Sequence, residues 1–288
     1  MIVIWQGNSG LCNRLFLTAY GIALSEATGQ KLVNIHLDRF ENLFPATRPR
    51  LCLAPLRYPA YYAMRFSLRA FKRMPYAKRY YATFTDDGKN TAYFSPVSEK
   101  FISEVRSRPV TFIHGWPYLE KLKFPNTDLI RHKLAPPSSV LEEANANAAR
   151  ARQGADVLVG IHMRGGDYRT FLGGRYFYEM AQYQSVMRGM AKLLAPKRVA
   201  FLLCSNEPQR IEDYLPLTVT LGPGTLLGDL FTLSACDYIL GPPSTYSLWA
   251  AFYGRKPISH LYKPAAPDSL SSFSIQDGNF EIYRTEIN

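Results

Sequence analysis

The stretch that decides the fold is Val157-Leu-Val-Gly-Ile-His-Met-Arg-Gly-Gly-Asp-Tyr168. It begins with an apolar, β-branched run, which is typical of a strand buried inside a parallel sheet. The run ends in a His-x-Arg followed by two glycines, so the strand delivers a cation onto a tight turn. Open α/β sheets bind ligands at the carboxyl ends of central strands, and the planar fork of Arg164 matches phosphate oxygens. We therefore expect an anion site at this turn; the alternative is a structural ion pair between Arg164 and Asp167.

Strands and helices alternate on both sides of this stretch. The segments after it indicate a doubly wound parallel sheet, with strands at 198–204, 218–221 and 238–241 and helices at 176–194, 226–235 and 248–253. Before it, strands are predicted at 2–5, 31–35 and 110–114, with a first helix that ends near residue 28. Pro136-Pro137 and Gln153-Gly154 bracket a helix at 138–152 and mark a hinge. We predict an N-terminal domain of residues 1–153 and a C-terminal domain of residues 154–288.

The composition is that of a globular protein with excess positive charge. Apolar residues make up 47% of the 288-residue chain, yet no run of about 18 apolar residues is present to span a bilayer. The N-terminus lacks the features of a signal peptide, and the four cysteines have neither metal-ligand nor disulfide spacing. These features favour a cytoplasmic location. The net charge of +11 predicts an anionic partner: nucleic acid, an acidic membrane face or a phosphorylated substrate.

Residues 48–81 combine arginines and lysines with aromatic side chains, and no acidic residue occurs between Glu41 and Asp86. Part of this segment fits a helix with an apolar and a basic side, which suits an anionic membrane surface. Arginines and stacking aromatics could also contact nucleic acid. The third interpretation is a solvated basic helix whose aromatic residues belong to the core.

A glycine-containing loop at residues 7–10 joins the first predicted strand to the first helix. Strand, loop and helix N-terminus form a layout that favours an anion, because backbone N–H groups are presented there. The match to the dinucleotide fingerprint GxGxxG is poor. A plain strand-to-helix turn or a substrate loop is therefore preferred.

Five stretches resemble, in order, the GDP-fucose-dependent fucosyltransferases of the α-1,2 type, glycosyltransferase family 11. His162-Met-Arg-Gly-Gly-Asp-Tyr168 resembles the element HxRRGDY, and Gly10-Leu-Cys-Asn-Arg-Leu-Phe16 resembles the opening GGLGNQLF. The other three resemble GYWQSEKYF, a strand ending in SDDP, and DLxLMSxCxxxIxxxSSFSWW, and they lie at residues 115–121, 201–208 and 229–249. The five stretches are spread along most of the chain, from Gly10 to Trp249.

The resemblance implies a GT-B-like fold of two Rossmann-like, doubly wound domains. The acceptor would bind on the side of the N-terminal domain, and the C-terminal domain would hold the nucleotide sugar. The implied reaction is an inverting, metal-independent transfer of L-fucose from GDP-fucose to a hydroxyl of a glycan. We expect that glycan to be a bacterial surface polysaccharide or its lipid-linked precursor, reached by peripheral contact with the inner face of the cytoplasmic membrane. No cofactor beyond the donor and no nucleic-acid partner are expected.

The resemblance also implies roles for individual residues. Arg164 would contact the β-phosphate, where charge collects as the sugar leaves. Asp167 is the nearest candidate base by sequence, and orienting Arg164 is its other possible role. His162 is either a partner of the base or ribose or a buried core histidine. The remaining candidate substrate-binding residues are Asn13, Arg14, Trp116, Tyr118, Asn206, Glu207, Asp229, Ser244, Thr245, Tyr246 and Ser247.

Within that set, Asn206 or Glu207 could read the guanine edge, and the hydroxyls at 244–247 could contact phosphate at a helix N-terminus. The chain departs from the family pattern at Gly165, where the second arginine stands, at Cys12, and at the Asn206-Glu207 pair. Other functions therefore stay open. They are a GT-B transferase of another linkage or nucleotide sugar, a basic nucleic-acid-binding protein and a non-catalytic glycan-binding protein.

Overall fold

The computed structural model describes residues 1–6, 10–34, 37, 40, 43–47, 63, 66–67, 69–71, 73–75, 81–85, 94–114 and 124–280. These residues divide into two units, Met1–Pro137 with Gly278–Phe280, and Ser138–Asp277. The helix Ser138–Ala151 clusters with the second unit, whereas the sequence placed it before the boundary at residue 153. The predicted α/β class is confirmed, because each unit is built on a largely parallel sheet.

The first unit contains a four-stranded parallel sheet in the order β2-β1-β4-β3. Its strands are β1 (Ile2–Gln6), β2 (Leu32–Asn34), β3 (Tyr81–Thr85) and β4 (Val110–His114). The helices described here are α1 (Leu11–Thr28), α2 (Glu99–Arg106) and α3 (Thr127–Lys133). Phe280 packs edge-to-face on Phe16 and Phe124, with centroids 5.1 and 5.3 Å away. This contact explains why residues 278–280 belong to the first unit.

The second unit contains a six-stranded sheet in the order β10-β9-β8-β5-β6-β7. Its strands are β5 (Val157–Met163), β6 (Val199–Ser205), β7 (Val219–Leu221), β8 (Tyr238–Gly241), β9 (Pro257–His260) and β10 (Ser274–Ile275). The strands are parallel except β10, which runs antiparallel to β9. Every residue of the central strand β5 is buried.

Helices cover both faces of this sheet, and they are α4 (Ser138–Ala151), α5 (Met180–Leu193), α6 (Leu226–Ser234) and α7 (Thr245–Gly254). On one face, Ile161 of β5 shares a buried cluster with Met187 of α5. On the other face, a Cβ placed on Gly160 would fall 2.8 Å from Leu233 of α6. Because both faces of β5 are buried, its sequence is a continuous apolar run rather than an alternating one.

Two element boundaries affect the site. Strand β5 continues to Met163, so His162 lies within the strand and Arg164 directly follows it. Helix α7 begins at Thr245 instead of Leu248, because Ser244 is extended (φ −153°) and caps the first turn. The polar residues at 244–247 are therefore the N-cap and first turn of a helix that begins before the predicted start at residue 248.

Candidate functional site

The turn after β5 holds Arg164 in one defined orientation. The guanidinium donates from Nε to Oδ1 of Asp167 (2.9 Å) and from Nη2 to Oδ2 of Asp167 (3.1 Å). It also lies over the ring of Tyr168, 5.5 Å from the centroid. The ion pair uses two of the five N–H donors of the guanidinium, and 30% of the Arg164 side chain is exposed. The two predicted catalytic residues thus lie together, and the engagement of both Asp167 oxygens favours an orienting role for that carboxylate.

A short 3-10 turn, Gly166–Arg169, follows Arg164. Gly166 has a φ of +52°, a left-handed conformation that glycine adopts without a steric penalty. Tyr168 of this turn is buried and donates its hydroxyl to the carbonyl of Pro243 (2.5 Å), just beyond β8. This hydrogen bond attaches the turn to the neighbouring strand end. Tyr168 lies in the quoted motif but was not predicted as a site residue.

Asn206 and Glu207 follow the adjacent strand β6 and bind the backbone of the same turn. Oδ1 of Asn206 accepts the N–H of Gly165, and Oε1 of Glu207 accepts the N–H of Gly166, both at 2.8 Å. Oε2 of Glu207 lies 3.2 Å from Nη2 of Arg169. The hydrogen bond from Gly166, with help from Arg169, holds the pKa of Glu207 below its ordinary value. Both residues thus reach the predicted anion site, where their oxygens contact protein backbone.

The hydroxyl groups of Ser244 and Ser247, at the start of α7, bond to the backbone of that helix end. The Ser244 hydroxyl accepts the N–H of Tyr246 (3.2 Å), and Ser247, which is fully buried, donates its hydroxyl to the carbonyl of Ser244 (3.2 Å). Thr245 is the first residue of this ten-residue helix. The positive end of the α7 dipole therefore lies at the carboxyl edge of the sheet.

His162 is 3% exposed, and its Nδ1 has no hydrogen-bond partner among the residues that the structure describes. Its ring packs against Tyr246 with the centroids 5.1 Å apart. Burial, followed by the charges of Arg164 and His260, lowers the pKa of His162 from 6.5 to about 3. His162 is therefore a neutral, buried side chain at neutral pH. A contact with the base or ribose stays a prediction.

Asp229 lies in the first turn of α6, beside the loop that follows β7. Its Oδ1 accepts the N–H of Gly224 (2.8 Å), and burial raises the pKa of the carboxyl. A Cβ placed on Gly222 would fall 2.6 Å from the same oxygen. Asp229 thus belongs to the same carboxyl edge of the sheet as Arg164, two strands away in the order β5-β6-β7.

The candidate residues of the first unit are only partly described. Asn13 and Arg14 lie in the first turn of α1, where the Arg14 guanidinium sits 5.4 Å from the centroid of the Phe40 ring. Trp116 and Tyr118 lie outside the described residues. The glycine loop at 7–9 and most of the basic segment 48–81 also lie outside them. Their predicted roles stay predictions.

A cavity of about 470 Å³ lies at the carboxyl end of β9. The aromatic side chains Tyr176 and Tyr262 and the cations Arg175 and Lys263 contribute to its wall, together with His260. Sequence reasoning missed this cavity, because its lining comes from two separate segments, 175–176 and 258–276, that match no motif.

Three cysteines lie in the part of the chain that the structure describes. Cys12, Cys204 and Cys236 are buried and are not joined in disulfides, and burial raises the pKa of Cys204 and Cys236. Within the described ranges, no group of three or more His, Cys, Asp or Glu side chains could hold a metal ion. In those ranges there is also no helix that combines the length and apolar character needed to cross a membrane. Metal independence stays a prediction.

Comparison with solved structures identifies the fold. NodZ α-1,6-fucosyltransferase soaked with GDP-fucose matches 96% of this chain and 99% of its own, with a TM-score of 0.55 at 18% identity. The chain has the GT-B fold. FUT1 of Arabidopsis thaliana, a variant in complex with GDP, matches 94% of this chain and 73% of its own (TM-score 0.55, 17% identity). POFUT1 in complex with GDP matches 90% and 98% (TM-score 0.52, 11% identity).

No family model and no curated protein matches the chain. The predicted GT-B-like architecture is confirmed by the solved structures. Because NodZ is an α-1,6-fucosyltransferase, the likeness is to fucosyltransferase folds in general and does not single out the α-1,2 type.

Proposed function

We propose that the chain is an inverting, metal-independent glycosyltransferase that moves L-fucose from GDP-fucose to a hydroxyl of a glycan. The observation that carries the proposal is Arg164, an oriented guanidinium at the carboxyl end of the central strand β5. Among solved proteins with this fold, a FUT1 variant is in complex with GDP, and NodZ was co-crystallised with GDP and soaked with GDP-fucose. A cation in this position suits a nucleoside diphosphate.

The reaction develops negative charge on the leaving group. As the bond between the anomeric carbon and the β-phosphate oxygen breaks, its electron pair goes to the phosphate, while the acceptor oxygen bonds to that carbon and its proton passes to a base. Arg164 would donate N–H bonds to the phosphate as this charge grows. The N-terminus of α7 would add partial positive charge at the same sheet edge. These two groups would take the part that a metal ion plays in other phosphate-transfer sites.

Ligand binding tests the proposal directly. Melting temperatures would be measured with GDP, UDP, CDP and their sugars, because a ligand that binds only the native state raises the melting temperature. GDP and GDP-fucose should give the largest shifts, and radiolabelled fucose should pass from GDP-fucose to a glycan acceptor. A larger shift with UDP or CDP would contradict the choice of donor.

A transferase of another nucleotide sugar is the second candidate. It is favoured by the departures at Gly165 and at Asn206-Glu207, which lie in direct contact at the anion site. The same ligand panel separates the two candidates. Nucleic-acid binding would instead appear as an affinity that falls steeply with salt, since each phosphate contact releases counterions.

We propose a cytoplasmic location with peripheral contact to an anionic membrane face, where a lipid-linked acceptor would be found. The support is the net charge of +11 and the basic segment 48–81, most of which lies outside the described residues. Each Lys or Arg near such a surface contributes about 1 kcal/mol. Replacing Arg65, Arg69, Lys72 and Arg73 with Gln should weaken sedimentation with anionic vesicles at low salt and leave GDP affinity unchanged. If the parent protein and the Gln variant sediment equally with the vesicles, the proposed membrane contact of this segment is contradicted.

A further inference from the structure

Two side chains that the sequence assigned to the nucleotide are used instead to hold the turn that carries Arg164. We propose that Glu207, assisted by Asn206, is a positioning residue for this turn and does not read the base. The proposal rests on the proposed function for its kinetic consequences, because those concern the reaction at Arg164. Its structural content is independent of the substrate.

The two backbone N–H groups that directly follow Arg164 are both engaged. That of Gly165 bonds to Asn206 and that of Gly166 bonds to Glu207, each at 2.8 Å. Successive N–H groups of a glycine turn are the groups that bind phosphate in many anion sites. Here protein oxygens occupy them, so an incoming phosphate would meet the side chain of Arg164 rather than this backbone.

Gly165 is explained by the same contact. A Cβ at this position would fall 2.3 Å from Cδ and Oε2 of Glu207 and 2.7 Å from Oε1. The backbone φ of −98° is not in the left-handed region that favours glycine, and the observed reason for glycine here is this steric contact. The carboxylate of Glu207 occupies the space that a side chain at 165 would need. The two departures from the family motifs, at 165 and at 206–207, are therefore in direct contact with each other.

Arg169 fixes the far side of the Glu207 carboxylate. Its Nη2 lies 3.2 Å from Oε2 and 3.3 Å from Oε1, and its guanidinium stacks 4.3 Å from the centroid of the Phe177 ring. The lowered pKa of Glu207 keeps the carboxylate ionised at neutral pH. Glu207 thus bridges the first residue of the turn Gly166–Arg169 and the last one.

The position of this turn determines the position of Arg164. Asp167 lies inside the turn and accepts two hydrogen bonds from the Arg164 guanidinium. A shift of the backbone at Gly166 would therefore move Asp167 and release the guanidinium from its present orientation. Small displacements of a group that stabilises developing charge reduce turnover more than they reduce substrate binding.

The test compares Glu207→Ala and Glu207→Gln with Glu212→Ala, a control at an exposed glutamate whose pairing with Arg210 is long (3.7 Å). Glu207→Ala should lower kcat about tenfold or more, the loss expected for a hydrogen bond to a charged group, with a smaller change in the donor KM. Gln keeps an acceptor for Gly166 and should retain most of the turnover. Hydrogen exchange at the amides of Gly165 and Gly166 should accelerate in the Ala variant only.

A second variant pair isolates the steric contact. Gly165→Ala alone should lower turnover, because its Cβ displaces the Glu207 carboxylate, whereas Gly165→Ala combined with Glu207→Ala should be no worse than Glu207→Ala alone. Additive losses would overturn the proposal. So would unchanged amide exchange in Glu207→Ala, or a loss confined to GDP affinity, which would assign Glu207 to base recognition. Should the parent protein bind no GDP, the proposed function fails, and amide exchange still decides the positioning role.

Discussion

The ends of β5 and β8 lie side by side in the sheet of the second unit, and each carries polar residues that predict phosphate contacts. At the end of β5 the charge is on a side chain, Arg164, held by Asp167 and by a turn attached to β6. At the end of β8 the hydroxyl groups of Ser244 and Ser247 bond to backbone of α7, and positive potential comes from the helix N-terminus. A polar residue at a strand end can therefore serve either a ligand or the backbone, and the two sites should respond differently to mutation.

The largest effect is expected at the end of β5. Arg164→Ala should lower turnover about 100- to 1000-fold, the usual loss for one preorganised donor to developing charge, with little change in melting temperature. Arg164→Lys should recover little, since a point charge cannot replace a bidentate fork. Arg198 forms a similar two-point pair with Asp156 at the amino end of β6, so Arg198→Ala is the matched control. Near-parental turnover of the Lys variant would refute the role of Arg164.

A substitution of Asp167 distinguishes its two possible roles, which are orienting Arg164 and accepting the proton of the acceptor hydroxyl. If Asp167 orients Arg164, Asp167→Asn keeps one acceptor and should lower kcat about tenfold with the pH profile of kcat unchanged. A general base would instead give a far larger loss and remove the acidic limb of that profile. The measurement is kcat against pH for both proteins. The loss of the limb would restore the base role predicted from the sequence.

Buried His162, near the end of β5, should make the free energy of unfolding depend on pH. Its pKa is about 3 in the folded protein against an ordinary 6.5, so the unfolded chain binds more protons between these values. Its contribution to stability is therefore complete above pH 6.5 and falls as the pH is lowered toward 3. Urea unfolding of His162→Gln should show a weaker pH dependence between pH 6.5 and 4 than the parent. His132→Gln, at an exposed histidine of α3, should behave like the parent; equal slopes for all three proteins would contradict the burial effect.

At the end of β8, a substitution should reduce the free energy of unfolding more clearly than it reduces turnover. Ser244→Ala removes the cap of α7 and should lower the free energy of unfolding by about 1 kcal/mol. Its effect on turnover should be well below that of Arg164→Ala, since the helix N-terminus remains. Ser98→Ala, which removes the cap of α2 in the first unit, is the control for stability loss alone. A Ser244→Ala variant with full stability but little turnover would indicate a hydroxyl that binds substrate.

The smallest effect is expected from chelation. Excess EDTA should leave turnover unchanged if Arg164 and the α7 N-terminus stabilise the leaving group. Loss of activity with EDTA, followed by recovery with Mg²⁺ or Mn²⁺, would refute metal independence.

Local patterns predicted much of the second unit. Strand β8 begins and ends where the apolar run predicts, at Tyr238–Gly241, and in the first unit β4 does the same at Val110–His114. The pair Arg164–Asp167 also follows from a spacing of three residues within one turn. Strands β3, β9 and β10 were not predicted, because none of them contains two adjacent bulky apolar residues such as Phe112-Ile113 in β4 or Ile239-Leu240 in β8.

The sequence by itself determined the α/β class, the central strand and the cation at its end, since these depend on local apolar runs and on residues within one turn. Only the tertiary structure decided what Glu207 does. Its partner Gly166 is 41 residues away, and the two meet because β5 and β6 pair in the register Met163 opposite Ser205. Strand order and register arise from long-range packing of both sheet faces, which no short motif encodes. The sequence suggests that the Glu207 carboxylate contacts the guanine base. In the fold it accepts a hydrogen bond from the backbone of the turn that follows β5.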